Sequence, residues 1–111
     1  MQPKVNYPAG QINARGISAA LNSSNSVVMA APITSAGYKA AYWRMQLSAG
    51  AAYVRIGASA SSVTATTGDT IITSNEALYI NSLGANAVAG LQIGSTNAIL
   101  QVSPLEEGGM V

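Results

Sequence analysis

Residues 41–57, which read AYWRMQLSAGAAYVRIG, are the stretch that decides the fold of this chain. Apolar and polar side chains alternate with a period of two in each half, with a short turn between the halves. The apolar face of the stretch consists of Trp43, Met45, Leu47, Val54 and Ile56. Alternation of this kind is typical of β-strands that bury one face, so the stretch predicts two antiparallel strands.

A four-residue turn is the connection that keeps the two faces of this predicted hairpin separate. It sets Met45 opposite Val54, whereas a three-residue turn would place Trp43 opposite Arg55 and mix the faces. The four-residue turn also brings Arg44 opposite Arg55 on the polar face. Like charges directly across a strand pair are destabilising unless an acidic group of a partner lies between them.

The surroundings of this predicted arginine pair are therefore candidate partner contacts. Guanidinium groups bind carboxylates in a fork geometry, and tyrosine rings supply flat contact area. The expected contact residues are Tyr42, Arg44, Tyr53 and Arg55, with Tyr7 as an anchor in an extended arm. The alternative is that both arginines are solvated side chains on an exposed sheet face. The neutral loops around Gly84 and Gly94 are the next candidates.

The same alternation continues through the second half of the chain. Residues 77–103 contain three more strands, and their predicted hairpins set Ile80 opposite Ala89 and Leu91 opposite Leu100. The predicted core consists of Trp43, Met45, Leu47, Val54, Ile56, Leu78, Ile80, Leu91, Leu100 and Val102.

Shorter alternating runs complete the prediction of the fold. They cover residues 17–21, 25–31, 63–67 and 70–73 and bring the total to about eight short strands, with no convincing helix. Strands of this number and length pack as two sheets. The predicted fold class is therefore all-β, a single-domain antiparallel β-sandwich of jelly-roll-like architecture.

The composition narrows the function to binding or assembly. The 111 residues include no His and no Cys, which removes the usual acid–base switch, the thiolate nucleophile and most metal ligands. Asp69 and Glu76 fall in predicted turns, where a carboxylate bonds nearby backbone amides more often than it catalyses. We therefore expect no enzyme activity, no cofactor and no metal.

Charge and hydropathy indicate which partners to expect. The formal net charge is +1 and 8% of residues are charged, against about 25% in an ordinary soluble domain. A balance so near neutral argues against nucleic acid as a partner, and no apolar stretch is long enough to span a membrane. Much of the apolar content is alanine, which builds a thin core. We therefore expect a homo-oligomer, with a trimer favoured and a dimer possible.

The chain divides into three predicted segments. Residues 1–14 contain two prolines and a glycine without periodicity and are expected to form an extended N-terminal arm. Residues 15–105 form the β-sandwich domain, and residues 106–111 a flexible C-terminal tail.

Four segments resemble those of small structural proteins of tailed-bacteriophage virions: YVRIG (53–57), VTATTGD (63–69), IITSNE (71–76) and LQVSPL (100–105). The resemblance implies a capsid decoration (cement) protein, a small β-fold that sits on the capsid shell and reinforces its capsomer joints. It also implies the major capsid protein as partner, and a location on the virion after synthesis in the host cytoplasm. The alternatives are a tail or fibre component and a carbohydrate-binding module. The last requires an exposed aromatic platform, whereas Trp43 falls on the predicted core face.

Overall fold

The computed structural model describes residues 16–35, 37–59 and 61–105. In these ranges the chain forms eight β-strands, which confirms the predicted all-β class. The strands are β1 (Ile17–Ala20), β2 (Val27–Ala30), β3 (Tyr42–Leu47), β4 (Ala51–Gly57), β5 (Thr70–Thr73), β6 (Leu78–Asn81), β7 (Ala87–Ile93) and β8 (Ile99–Leu105). No helix in the described ranges is long and apolar enough to cross a membrane.

The strands form two four-stranded antiparallel sheets. Sheet 1 has the order β1-β8-β3-β6 and sheet 2 the order β2-β7-β4-β5. The pairs β4–β5, β3–β6, β2–β7 and β1–β8 are nested inside one another, like one long hairpin folded over on itself. This nesting is the jelly-roll topology, so the predicted β-sandwich is confirmed.

The three predicted hairpins are wrong. β3 pairs with β6 and β8, whereas β4 pairs with β5 and β7, so Arg44 and Arg55 do not lie opposite each other. Likewise β7 is not a neighbour of β6 or of β8. Alternation shows which side chains share a face, but it does not show which strand lies alongside. Residues 43–47 and 54–56 contribute to one core because they meet across the sandwich.

The core lies between the two sheets and contains most of the predicted residues. Six of the ten are buried: Trp43, Met45, Leu47, Val54, Leu100 and Val102. Ile56, Leu78 and Ile80 are half-buried and pack against these residues. Leu91 is the exception, because it packs in a second cluster with Ala87 and Ala89.

The inner face of β7 carries Val88, Gly90 and Gln92. The prediction that Ala89 and Leu91 face inward is therefore wrong by one residue. Gly90 lies so close to the core that an added Cβ would meet Leu21 Cδ2 at 3.0 Å and Leu100 Cδ2 at 3.1 Å. A glycine therefore belongs to the buried face, because it makes room for two leucine side chains from the side of the opposite sheet, Leu100 on β8 and Leu21 directly after β1. The larger Leu91 side chain consequently lies on the other side of the sheet.

Buried Gln92 holds the connection from β7 to β8. Its Nε2 donates to the carbonyl of Gly94 at 3.1 Å, and its Oε1 accepts from the amide of Ala98 at 3.1 Å. Both ends of the side chain are therefore satisfied in the core. The predicted arm (residues 1–14) and tail (residues 106–111) lie outside the described residues.

Candidate functional site

The outer face of sheet 1 is mostly polar. Strand pairing aligns Arg44 with Tyr79, and Gln46 with Gln101, on the side that faces away from the core. We call Tyr42, Arg44, Gln46, Tyr79 and Gln101 the polar face. Half of the Tyr79 surface is accessible to solvent (50%).

Arg44 is held in place by two neutral oxygen atoms. Its Nε donates to the hydroxyl of Tyr79 at 3.2 Å, and its Nη2 donates to Oε1 of Gln46. No described residue offers Arg44 a carboxylate within ion-pair distance. Because a guanidinium has five N–H donors, three remain for another acceptor.

Tyr53 and Arg55 lie on the outer face of sheet 2, on the opposite side of the sandwich. Arg55 Nε is 3.8 Å from Asp69 Oδ1, and Asp69 Oδ2 accepts the amide of Thr66 at 2.8 Å. The charge of Arg55 therefore has an acidic partner, whereas the described residues contain none for Arg44. Such a surface ion pair contributes little to stability.

Residues 61–69 cover one end of this second outer face. Val63 and Ala65 are buried against Ala87 and Ala89, although residues 63–67 do not form the predicted strand. The amide of Ala65 donates to Ser26 Oγ at 2.9 Å, which fixes the segment across β7. The segment is thus a packed cover for the sheet.

A cleft of about 430 Å³ opens between the two sheets at the β5–β6 edge. β5 pairs only as far as Val54, so Arg55, Ile56 and Gly57 extend beyond the edge strand. The cleft explains why Ile56 and the two apolar residues of β6 are only half-buried. Its volume falls in the range of small-molecule sites. In the described ranges, no group of three or more acidic, His or Cys side chains could hold a metal.

Two neighbouring loops at one end of the sandwich expose large apolar side chains. The exposed fractions are 84% for Leu83, 71% for Tyr38 and 55% for Ile33. We call these three residues the apolar tip. Ser82 joins the loops, because its amide donates to the carbonyl of Ala41 and its hydroxyl to that of Ala40, both at 2.7 Å.

Leu83 has an unusual backbone conformation. Its φ is +53° and that of Gly84 is +75°, and the amide of Ala85 donates to the carbonyl of Ser82 at 2.8 Å. Two consecutive left-handed residues make this a type I′ turn, in which Asn, Asp or Gly is the usual first residue. A left-handed leucine costs about 1–2 kcal/mol. Leu83 thus combines backbone strain with exposure of an apolar side chain, and neither favours the folded monomer.

The structure separates the predicted contact residues into two pairs. Tyr42 and Arg44 belong to the polar face, Tyr53 and Arg55 lie on the other side of the molecule, and Tyr7 is outside the described residues. The sequence indicates the loop around Gly84 as a candidate contact but does not single out Leu83. The available signal was a large apolar residue directly before a glycine in a turn.

Comparison of the chain with protein-family models, curated proteins and solved structures finds no match.

Proposed function

We propose that this chain is a non-enzymatic virion structural protein of the capsid decoration type. It binds the shell built by the major capsid protein, with the apolar tip as the contact. The observation that carries the proposal is Leu83, which is 84% exposed in a strained conformation. Strained non-glycine residues of this kind cluster at functional sites.

The energetics of the tip favour a protein partner. Fully burying a leucine side chain contributes about 1.5–3 kcal/mol, which corresponds to roughly 10- to 100-fold in affinity. Tyr38 and Ile33 lie on the adjoining loop and add apolar and aromatic area, the composition that is enriched at interface centres. A shell with many equivalent sites amplifies such modest contacts if the protein is itself oligomeric.

The decisive variant is Leu83→Asn. Asn-Gly is a preferred type I′ pair, so this change is expected to raise the free energy of unfolding by about 1 kcal/mol. It is also expected to weaken binding to stripped shells by roughly 10- to 100-fold, because the apolar contact is lost. The two effects have opposite signs, so lost binding cannot be attributed to unfolding.

Ile99→Asn is the matched control. Ile99 is 49% exposed, but it lies on the outer face of sheet 1. Co-sedimentation with stripped shells should show wild-type occupancy for Ile99→Asn and reduced occupancy for Leu83→Asn. Equal occupancy of Leu83→Asn and the wild type would exclude the tip as the contact.

A separate measurement tests the virion assignment itself. Mass spectrometry of particles produced from the genome that encodes this chain should find it in the head fraction. Its presence only in tail fractions would support the tail or fibre alternative. Its absence from particles would overturn the proposal.

We also propose that the protein is a homo-oligomer, with a trimer favoured over a dimer. The support is the small alanine-rich core, since oligomerisation supplies burial that a small domain lacks. Sedimentation velocity at micromolar concentration should give the trimer mass. A monomer would overturn this part, while the binding assay still decides the shell contact.

A further inference from the structure

The polar face contains a positive charge that no described residue neutralises. Arg44 donates to Tyr79 and Gln46, both neutral, whereas Arg55 has the carboxylate of Asp69 at 3.8 Å. The two contacts of Arg44 fix the plane of its guanidinium before any ligand arrives. A guanidinium oriented in this way is suited to a carboxylate, which it binds through two parallel hydrogen bonds.

The groups around Arg44 suit a sugar ring. Tyr79 lies directly opposite Arg44 on β6, and Tyr42 lies two residues before Arg44 on β3, so two tyrosines share this face with the cation. Gln46 and Gln101 are paired on the neighbouring strands and provide amide donors and acceptors. Tyrosine offers an apolar ring with a polar end, and amides hydrogen-bond hydroxyl groups.

We propose that the polar face binds a carboxylated saccharide, with Arg44 as the anchor for its carboxylate. The hydroxyl groups of the sugar bond to Gln46 and Gln101, and its C–H face lies on Tyr79. An acidic peptide fits less well. Peptides that bind sheets use unpaired strand edges, and the nearest edge of sheet 1 is β6, one strand away from Arg44 on β3.

The proposal does not depend on the capsid assignment. The polar face lies on one side of the sandwich, whereas the apolar tip lies on two loops at one end of it. A protein bound to a shell through the tip would leave the polar face accessible. Loss of one activity by mutation should therefore leave the other unchanged.

Isothermal titration calorimetry of the full chain tests the proposal. The carboxylated probes are tetragalacturonate and 3′-sialyllactose, and their neutral counterparts are the methyl ester of tetragalacturonate and lactose. At least one carboxylated probe should bind more tightly than its counterpart. Failure of both to bind, or equal affinity for the neutral counterparts, would overturn the proposal. Equal affinity for tetraglutamate would assign the face to acidic peptides instead.

Variants of the two arginines identify the anchor. Arg44→Gln should weaken binding of the carboxylated probe by roughly 10- to 100-fold, the loss expected for charge-assisted hydrogen bonds. Arg55→Gln is the matched control and should bind like the wild type. Tyr79→Phe removes the oxygen that orients Arg44 and should cost a few-fold in affinity. An effect of Arg55→Gln as large as that of Arg44→Gln would refute Arg44 as the anchor.

Discussion

Substitution of Gly90 by alanine distinguishes the observed sheet arrangement from the hairpins that the sequence predicts. If β7 turned Leu91 inward, residue 90 would face outward, and Gly90→Ala would stabilise the strand by about 0.5–1 kcal/mol. In the structure, the new Cβ would lie 3.0 and 3.1 Å from the two Cδ atoms of Leu21, and 3.1 Å from Leu100 Cδ2. The two arrangements therefore predict opposite signs.

The magnitude follows from these contacts. Ordinary van der Waals contacts of a Cβ atom fall at 3.4–4 Å, so both leucine side chains must move by several tenths of an ångström. Inserting a methyl group into a packed core costs about 1–3 kcal/mol, and the restricted unfolded chain returns about 0.5–1 kcal/mol. Gly90→Ala should therefore lower the free energy of unfolding by up to about 2.5 kcal/mol, and Tm by about 4–8 °C per kcal/mol.

Urea denaturation followed by tryptophan fluorescence is a suitable assay, because Trp43 is buried in the same core. Leu21→Val removes both Cδ atoms of Leu21 and hence two of the three close contacts. In the double variant, Gly90→Ala should cost about 1 kcal/mol less than it does alone. A stabilising Gly90→Ala, or no coupling with Leu21→Val, would refute the position of Gly90 in the core.

Substitutions at three further positions probe polar groups of the fold, and the free energy of unfolding of each variant is measured by chemical denaturation. Trp43→Ala should lower the free energy of unfolding by about 3–5 kcal/mol. Trp43→Phe should lower it clearly less, because Nε1 of Trp43 has no acceptor among the described residues and its loss breaks no hydrogen bond there. Equal losses for the two variants would contradict this. Gln92→Met should cost about 1–3 kcal/mol, since it leaves the buried amide of Ala98 without its acceptor; a neutral change would mean that the connection rearranges. Asp69→Asn should lower the free energy of unfolding by less than about 1 kcal/mol, because it removes only the surface ion pair with Arg55. Asp69→Ala should cost about 1 kcal/mol more, because it also removes the acceptor for the amide of Thr66.

The candidate surfaces were only partly predictable. Alternation correctly indicated that Tyr42 and Arg44 point outward together, as do Tyr53 and Arg55, but the predicted hairpin wrongly placed all four on one face. Alternation could not show that the two pairs lie on opposite sides of the molecule, because that depends on which sheet each strand joins. The exposure of Leu83 could not be read from the sequence either, since it arises from a turn that departs from the usual residue preference.

The residue pattern alone predicts that the chain forms short strands and which side of most strands is apolar. Both properties are local, because the pleat places alternate side chains on opposite faces whatever the strand's neighbours are. The strand pairing, the inward position of Gly90 and the separation of Arg44 from Arg55 are visible in the folded chain but not in the residue pattern. These properties depend on contacts between residues far apart in the chain. Gly90, for example, faces inward because Leu21 and Leu100 fill the space that a larger side chain at position 90 would need. The same long-range pairing leaves Arg44 among neutral partners while Arg55 has an acidic one.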